Sequence, residues 1–298
     1  MAHQIISELA QICLQLGIDH AVISPGSRNA PLIIAFTKNP AFRCFSISDE
    51  RSAGYFALGM ARQLLDQMSR NDEAVVIAEN LSNLFGREFI DTPEPFLARL
   101  SGSDRKDFTP GLLVTIYLPP GCSLHLANST PVRYAQLFSS NPGLLYYSNR
   151  GVSGIDGCIS SAAGAAIIDK RLTVLLSGDI AFIYDASGLW DNQLAANLRI
   201  IVFNNDGGNI FKLIQSSPGI MDIEHFFETP HKANLKALSA AFGLDHYFAS
   251  NKERLEEILQ PFFEPKDRAA VLEIKTSGTV SAKVFKQYFH HLSKQNEQ

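Results

Sequence analysis

The sequence predicts an α/β protein with a parallel sheet, and three observations carry that reading. Segments of helical apolar spacing alternate with short apolar runs at both ends of the chain, the rhythm of βαβ units. Two runs, 173–176 and 200–203, are apolar without alternation, as in strands covered on both faces. Both end in short polar residues, Gly178-Asp179 and Asn204-Asn205, at the edge where parallel sheets bind ligands.

Ile5, Ile6, Leu9, Ile12, Cys13 and Leu16 recur at helical spacing, so a helix is expected over residues 3–17. His20-Ala21-Val22-Ile23-Ser24 reads as a short buried strand closed by Pro25-Gly26. A helix at 30–37 and a strand at 44–48 follow. Asp49-Glu50-Arg51-Ser52 then opens a helix with Tyr55, Phe56, Leu58 and Gly59 facing inward. Residues 66–121 break the pattern: polar stretches at 66–73 and 101–107 flank two apolar runs, 75–78 and 112–117, read as isolated strands. From 122 the rhythm returns with a helix at 134–138, a strand at 144–147 and a small-residue helix at 160–169. Strands at 173–176 and 200–203 come next, then a helix at 233–242, a strand at 246–249, a helix at 253–263 and a strand at 270–275. The polar tail from Ser293 is expected to fray. The expected organisation is a truncated α/β domain at 1–65, a linker or remnant at 66–121, and a nearly complete α/β domain at 122–298.

Composition excludes several classes. The 298 residues, 46% hydrophobic and 19% charged, suit one large or two ordinary soluble domains. A net charge of −4 lacks the basic field of a nucleic-acid or membrane-surface binder. No apolar run approaches the ~20 residues of a membrane span. The first turn is polar and does not read as a signal peptide. The four cysteines are far apart with no C-x-x-C, so neither structural zinc nor a disulfide framework is expected, and a reducing cytoplasm is the expected location.

The phosphate-loop, zinc-protease and nucleophile-elbow motifs are missing. Gly151-Val152-Ser153-Gly154-Ile155-Asp156-Gly157 is glycine-rich without dinucleotide spacing and by itself reads as a tight turn entering a helix. The informative stretches are Leu175-Leu176-Ser177-Gly178-Asp179-Ile180 and Ile201-Val202-Phe203-Asn204-Asn205-Asp206-Gly207-Gly208. Asp179 offers an anionic oxygen, Asn205 a neutral one, and a turn carbonyl near Gly207 a third. Three protein oxygens leave an octahedral cation half open, which suits Mg²⁺ shared with a diphosphate. Gly178 lets backbone N–H groups approach that phosphate.

The 26-residue separation of Asp179 and Asn205 resembles the Gly-Asp…Asn-Asn signature of thiamin-diphosphate enzymes. Ser24-Pro25-Gly26-Ser27-Arg28, Asp49-Glu50-Arg51-Ser52-Ala53-Gly54, Asn149-Arg150 with the glycine-rich run, and Asn209-Ile210-Phe211 narrow it. Together they resemble the 2-succinyl-5-enolpyruvyl-6-hydroxy-3-cyclohexene-1-carboxylate synthase family of menaquinone biosynthesis, in an internally shortened form, over about 1–65 and 122–275.

The resemblance implies a thiamin-diphosphate-binding fold: one nearly complete pyrophosphate-type domain and a truncated pyrimidine-type domain. It implies thiamin diphosphate with Mg²⁺ or Mn²⁺ as cofactors, 2-oxoglutarate and isochorismate as substrates, and a homodimer or higher homo-oligomer. The implied reaction decarboxylates 2-oxoglutarate and adds the resulting carbanion to isochorismate. Glu50 corresponds to the glutamate that hydrogen-bonds the cofactor's pyrimidine, where burial would raise its pKa. Gly178, Asp179, Ile180, Asn205 and Gly207 correspond to the diphosphate and metal site, Asp179, Asn205 and Gly207 being the metal ligands. Ile155 corresponds to the apolar support of the cofactor, and Gly154 to a cofactor-binding position. Ser27, Arg28, Ser129, Arg133 and Arg150 correspond to substrate-binding positions, guanidinium being suited to bidentate carboxylate pairing. Ile210, Phe211 and Ile214 correspond to an apolar wall. The family's chains run to about twice this length, so weak or absent carboligation is expected. The alternatives are another thiamin-diphosphate 2-oxoacid decarboxylase or synthase, and a non-catalytic remnant that binds the cofactor.

Overall fold

A computed structural model of the chain describes residues 2–24, 30–69, 114, 117–137, 143–150, 153–190, 194–208, 210 and 228–295. Two parallel sheets are present among them. The first pairs β1 (His20–Ile23) with β2 (Arg43–Ser46), His20 opposite Arg43, and carries α1 (Ala2–Gln15), α2 (Ala30–Lys38) and α3 (Glu50–Ser69).

The second sheet has six strands. In chain order they are β3 (Ser123–Leu126), β4 (Leu145–Ser148), β5 (Thr173–Gly178), β6 (Leu198–Asn204), β7 (Asp245–Ala249) and β8 (Ala270–Lys275). Their spatial order is β4-β3-β5-β6-β8-β7, every pair parallel. After β3 the chain first adds β4 on one side and then β5 on the other. The order therefore reverses beside β3, the crevice where open α/β sheets take ligands.

Alternation along the central strands explains the two apolar cores. Leu175, Ile200 and Val202 face α3 and α5 (Cys158–Ile168), while Val174, Leu176, Ile201 and Phe203 face α4 (Thr130–Leu137) and α8 (Lys252–Phe263). The short helices α6 (Asp179–Tyr184) and α7 (Leu235–Ala241) complete the first face, and α9 (Gly278–Gln295) follows β8.

The seam between α3 and α5 joins the two sheets' units. A Cβ on Gly59 would come within 2.0 Å of the Ser161 carbonyl oxygen, and one on Gly164 within 2.0 Å of that of Phe56. Backbone touches backbone there, so the small residues of α5 are a packing requirement. Gly157, at φ +71, sits under the Tyr55 ring, where a side chain would be both strained and in collision. Gly164→Ala is expected to lower stability by about 1–3 kcal/mol through overpacking. A thermal melt unchanged from wild type would show that the seam opens freely.

Sequence and structure differ in four places. Strand β3 is not recognisable from pattern because Ser-Leu-His-Leu alternates, yet all four residues are buried. Ser123 donates to Asp169 at 2.5 Å, and His125 stacks on Tyr147 with ring centroids 4.9 Å apart. Burial pushes His125 down to about 3, so it packs as a neutral ring. Helix α9 opens on Gly-Thr-Val-Ser, a poor helix sequence, and escapes the periodicity reading. Helix α6 is too short to show a period. Val114 and Tyr117 are helical, whereas the run 112–117 reads as a strand; so short an apolar run does not separate the two. The run 75–78 lies outside the described residues. No helix among them is long and apolar enough to cross a membrane, and their four cysteines are free thiols.

Candidate active site

Strand β5 ends at Gly178, and the chain turns directly into α6 with Asp179 in its first turn. Asp179 is buried, 2% exposed, and its side chain is held from four directions. Its Oδ1 accepts the Ile180 N–H at 2.8 Å. Its Oδ2 accepts the N–H groups of Asn205 at 3.1 Å and Gly207 at 3.0 Å, and lies 3.1 Å from His231 Nε2. Burial pushes the carboxyl above its ordinary value, opposed by the bonds from Ile180, His231 and Gly207. A desolvated carboxylate of this kind gains from a cation beside it.

The end of β6 provides the facing loop. Asn204 turns inward, donating to Glu273 Oε1 at 2.6 Å and accepting the Asp206 N–H at 3.2 Å, so the first asparagine shapes the turn. Asp206, at φ +63, pairs with Lys275. Asn205 and Gly207 then meet Asp179 through their backbones.

These residues fit a divalent cation held jointly with a diphosphate. Among the described residues no three His, Cys, Asp or Glu side chains gather to hold a metal by themselves. A cation at Asp179 would take that carboxylate, the Asn205 amide oxygen and the Gly207 carbonyl, and would need further oxygens from a ligand. A Cβ on Gly178 would meet nothing within 4 Å, so the backbone at the strand end faces open space.

A basic cluster lies at the ends of β3 and β4. Asn128, 1% exposed, donates to the carbonyls of Asn149 at 2.7 Å and Gly154 at 2.5 Å, and accepts from Arg150 Nη1 at 2.6 Å. Arg133 donates to the carbonyl of Ser129, itself at φ +74, at 2.7 Å. Burial lowers the pKa of Arg133, and the like charge of Arg150 lowers it further. Like charges held at one loop junction are a pairing that a carboxylate between them would relieve. Ile155 and Ile210 are half-buried, as is Gly154.

Glu50 is the first residue of α3 and is exposed. Its neighbours dock the helix onto the six-stranded unit. Ser52 Oγ reaches Asp185 at 3.2 Å and Ser187 at 2.7 Å, Tyr55 donates to Asp156 at 2.9 Å, and Arg51 meets the Tyr184 hydroxyl at 3.3 Å. Asp185 is buried and also accepts the Ser160 N–H and hydroxyl. The start of α3 thus meets the end of α6, and Asp179 begins that same helix, about 9 Å long at 1.5 Å per residue.

The structure therefore gathers Gly178, Asp179, Ile180, Asn205 and Gly207 at one sheet edge, and Ser129, Arg133, Arg150 and Gly154 around Asn128. Ser27, Arg28, Phe211 and Ile214 lie outside the described residues. Three residues the motifs did not reveal are built into the site: His231, Asn128 and Asp185. Asn128 lies in the turn two residues after β3, at the same edge as Asp179, a signal hidden with β3 itself. His231 lies 52 residues from Asp179 with no local pattern to mark it.

The profile described as thiamine pyrophosphate enzyme, N-terminal TPP binding domain, matches residues 5–84, and the C-terminal TPP binding domain of the same enzymes matches residues 129–274. A 2-succinyl-5-enolpyruvyl-6-hydroxy-3-cyclohexene-1-carboxylate synthase of Christiangramia forsetii is 33% identical over 201 residues, covering 67% of this chain and 34% of its own. The synthase of that name from Porphyromonas gingivalis is 37% identical over 199 residues, 66% of this chain and 34% of its own. A benzoylformate decarboxylase structure from Polynucleobacter necessarius aligns with TM-score 0.45 and 16% identity, over 57% of this chain and 33% of that one. The chain spans about a third of the length of the curated relatives it matches.

Proposed function

This chain belongs to the thiamine pyrophosphate enzymes, and from that premise we propose that it binds thiamin diphosphate with Mg²⁺ or Mn²⁺ and acts in menaquinone biosynthesis. The proposed reaction decarboxylates 2-oxoglutarate and joins the remaining four-carbon unit to isochorismate, releasing CO₂. The observation that carries the reading is Asp179, a buried carboxylate fixed by backbone N–H groups that follow two neighbouring strand ends. The cofactor supplies the carbon–carbon chemistry; the chain binds, orients and exchanges protons.

The roles proposed for the residues rest on the motifs and, for those the structure describes, on their neighbours as well. Asp179, Asn205 and the Gly207 carbonyl hold the cation, and Gly178 and Ile180 line the diphosphate. Ile155 supports the cofactor, and Gly154 binds it. Arg133 and Arg150, with Ser129, Ser27 and Arg28, bind the substrate carboxylates; Ile210, Phe211 and Ile214 wall the substrate. Glu50 hydrogen-bonds the pyrimidine ring. Its carboxyl is exposed in the single chain, so burial against that ring calls for another surface, which a second copy in a C₂ dimer provides.

Calorimetry of thiamin diphosphate with and without Mg²⁺, followed by CO₂ release from 2-oxoglutarate, tests the proposal. Mg²⁺-dependent binding and CO₂ release are expected, with carboligation below that of a full-length relative. Cofactor binding indifferent to Mg²⁺, or none, rejects it.

The arginines give a separate expectation. Arg133→Met or Arg150→Met should raise KM for 2-oxoglutarate roughly 30-fold, matching about 2 kcal/mol for a desolvated carboxylate pair. Cofactor affinity should stay within about twofold. Unchanged kinetics in both variants would remove these residues from the substrate site.

A further inference from the structure

We infer that His231 is a positioning residue of the metal site: it donates a hydrogen bond that holds Asp179 with one oxygen saturated and the other turned to the cation. The inference rests on the proposed role of Asp179 as metal ligand. Its basis is the bonding of the imidazole ring. The Ala233 N–H donates to His231 Nδ1 at 3.2 Å, so Nδ1 presents its lone pair. In the neutral ring the proton is then on Nε2, the nitrogen 3.1 Å from Asp179 Oδ2. His231 is a donor to the carboxylate, and the nitrogen facing the site has no lone pair for a metal.

The two carboxylate oxygens are thereby made unequal. Among the described residues, Oδ2 takes three hydrogen bonds, from Asn205, Gly207 and His231, while Oδ1 takes one, from Ile180. The lone pair left on Oδ1 is the one available to a cation. The segment bearing His231 also presses on the Gly207 loop. The Gly208 N–H donates to the Glu228 carbonyl at 2.6 Å, and a Cβ on Gly207 would lie 2.6 Å from that same oxygen. One segment, residues 228–233, thus sets both the carboxylate and the loop whose carbonyl is the third proposed ligand. Partners that orient metal ligands in this way are commonly worth 10–100-fold in metal affinity.

Two substitutions separate positioning from mere support. His231→Gln places an N–H near the position of Nε2 and keeps the bond to Asp179. His231→Asn reaches only as far as Nδ1, so its amide oxygen keeps the Ala233 N–H while the bond to Asp179 is lost. Mn²⁺ binding in the presence of thiamin diphosphate is read by electron paramagnetic resonance, with thermal melts of the metal-free proteins alongside. The expected result is a loss of 10-fold or more in Mn²⁺ affinity for His231→Asn, affinity within about threefold of wild type for His231→Gln, and similar melts for all three. Wild-type affinity in His231→Asn overturns the inference, as does equal weakening in both variants. A strong nitrogen coupling on bound Mn²⁺ that disappears in His231→Gln also overturns it, by making His231 a ligand. Wild-type protein that binds no Mn²⁺ with the cofactor present overturns the metal site itself.

Discussion

Replacing Asp179 by alanine is expected to abolish Mg²⁺-dependent binding of thiamin diphosphate. The only ionised group among the proposed protein ligands is lost, and a cation between a diphosphate and neutral oxygens is left without its protein anchor. The substitution also strips the N–H groups of Asn205 and Gly207 of their shared acceptor. Losing the acceptor of a buried donor costs about 1–3 kcal/mol, so the loop that presents the Gly207 carbonyl should loosen as well. Calorimetry at fixed Mg²⁺ measures the effect, with circular dichroism checking that the sheet remains folded. A variant that binds the cofactor as tightly as wild type would move the metal site elsewhere.

Glu50→Gln should reduce whatever carboligation or decarboxylation the chain carries by at least ~100-fold, since the proposed proton transfer to the cofactor ring depends on a carboxyl group. Diphosphate affinity should change little, because that half of the site is built from β5 and β6. The pair of variants then gives a sharper experiment. If two copies share each site, mixing Glu50→Gln with Asp179→Ala should restore part of the activity, because one of the mixed sites has both groups intact. Heterodimers that form and remain inactive would place Glu50 and Asp179 of one site in the same chain.

The central strands β5, β6 and β8 were legible in the sequence because burial on both faces leaves mainly apolar residues to read, as at 173–176 and 200–203. The exceptions are places where polar side chains are buried with partners. Ser123 and His125 hide β3, and Arg199 sits fully buried within β6. Arg199 is satisfied by the carbonyls of Phe262 at 2.6 Å, Glu264 at 2.7 Å and Ala196 at 2.7 Å, contacts reaching across 65 residues of chain. Hydropathy along the chain has no access to such pairings. The same holds for the site. Asp179 and Asn205 were legible because each directly follows a strand end, a local property, whereas His231 acts from a distant loop and Asn128 from the turn after a strand that its own pattern concealed. Asp185 gave no signal because its partners Ser52 and Ser160 lie far away in sequence.

The glycine seam between α3 and α5 also bears on how the molecule can move. Shear motion needs side chains that slip between alternative rotamers as packed helices slide by an ångström or two. Where carbonyl oxygens of one helix already occupy the space a methyl group would take on the other, there are no such rotamers to exchange, and sliding must break backbone contact outright. The two sheets should therefore travel as one body on the timescale of ligand exchange. Admission and release of a ligand then fall to the strand-end turns around Asn128 and Gly207, not to a hinge between the halves.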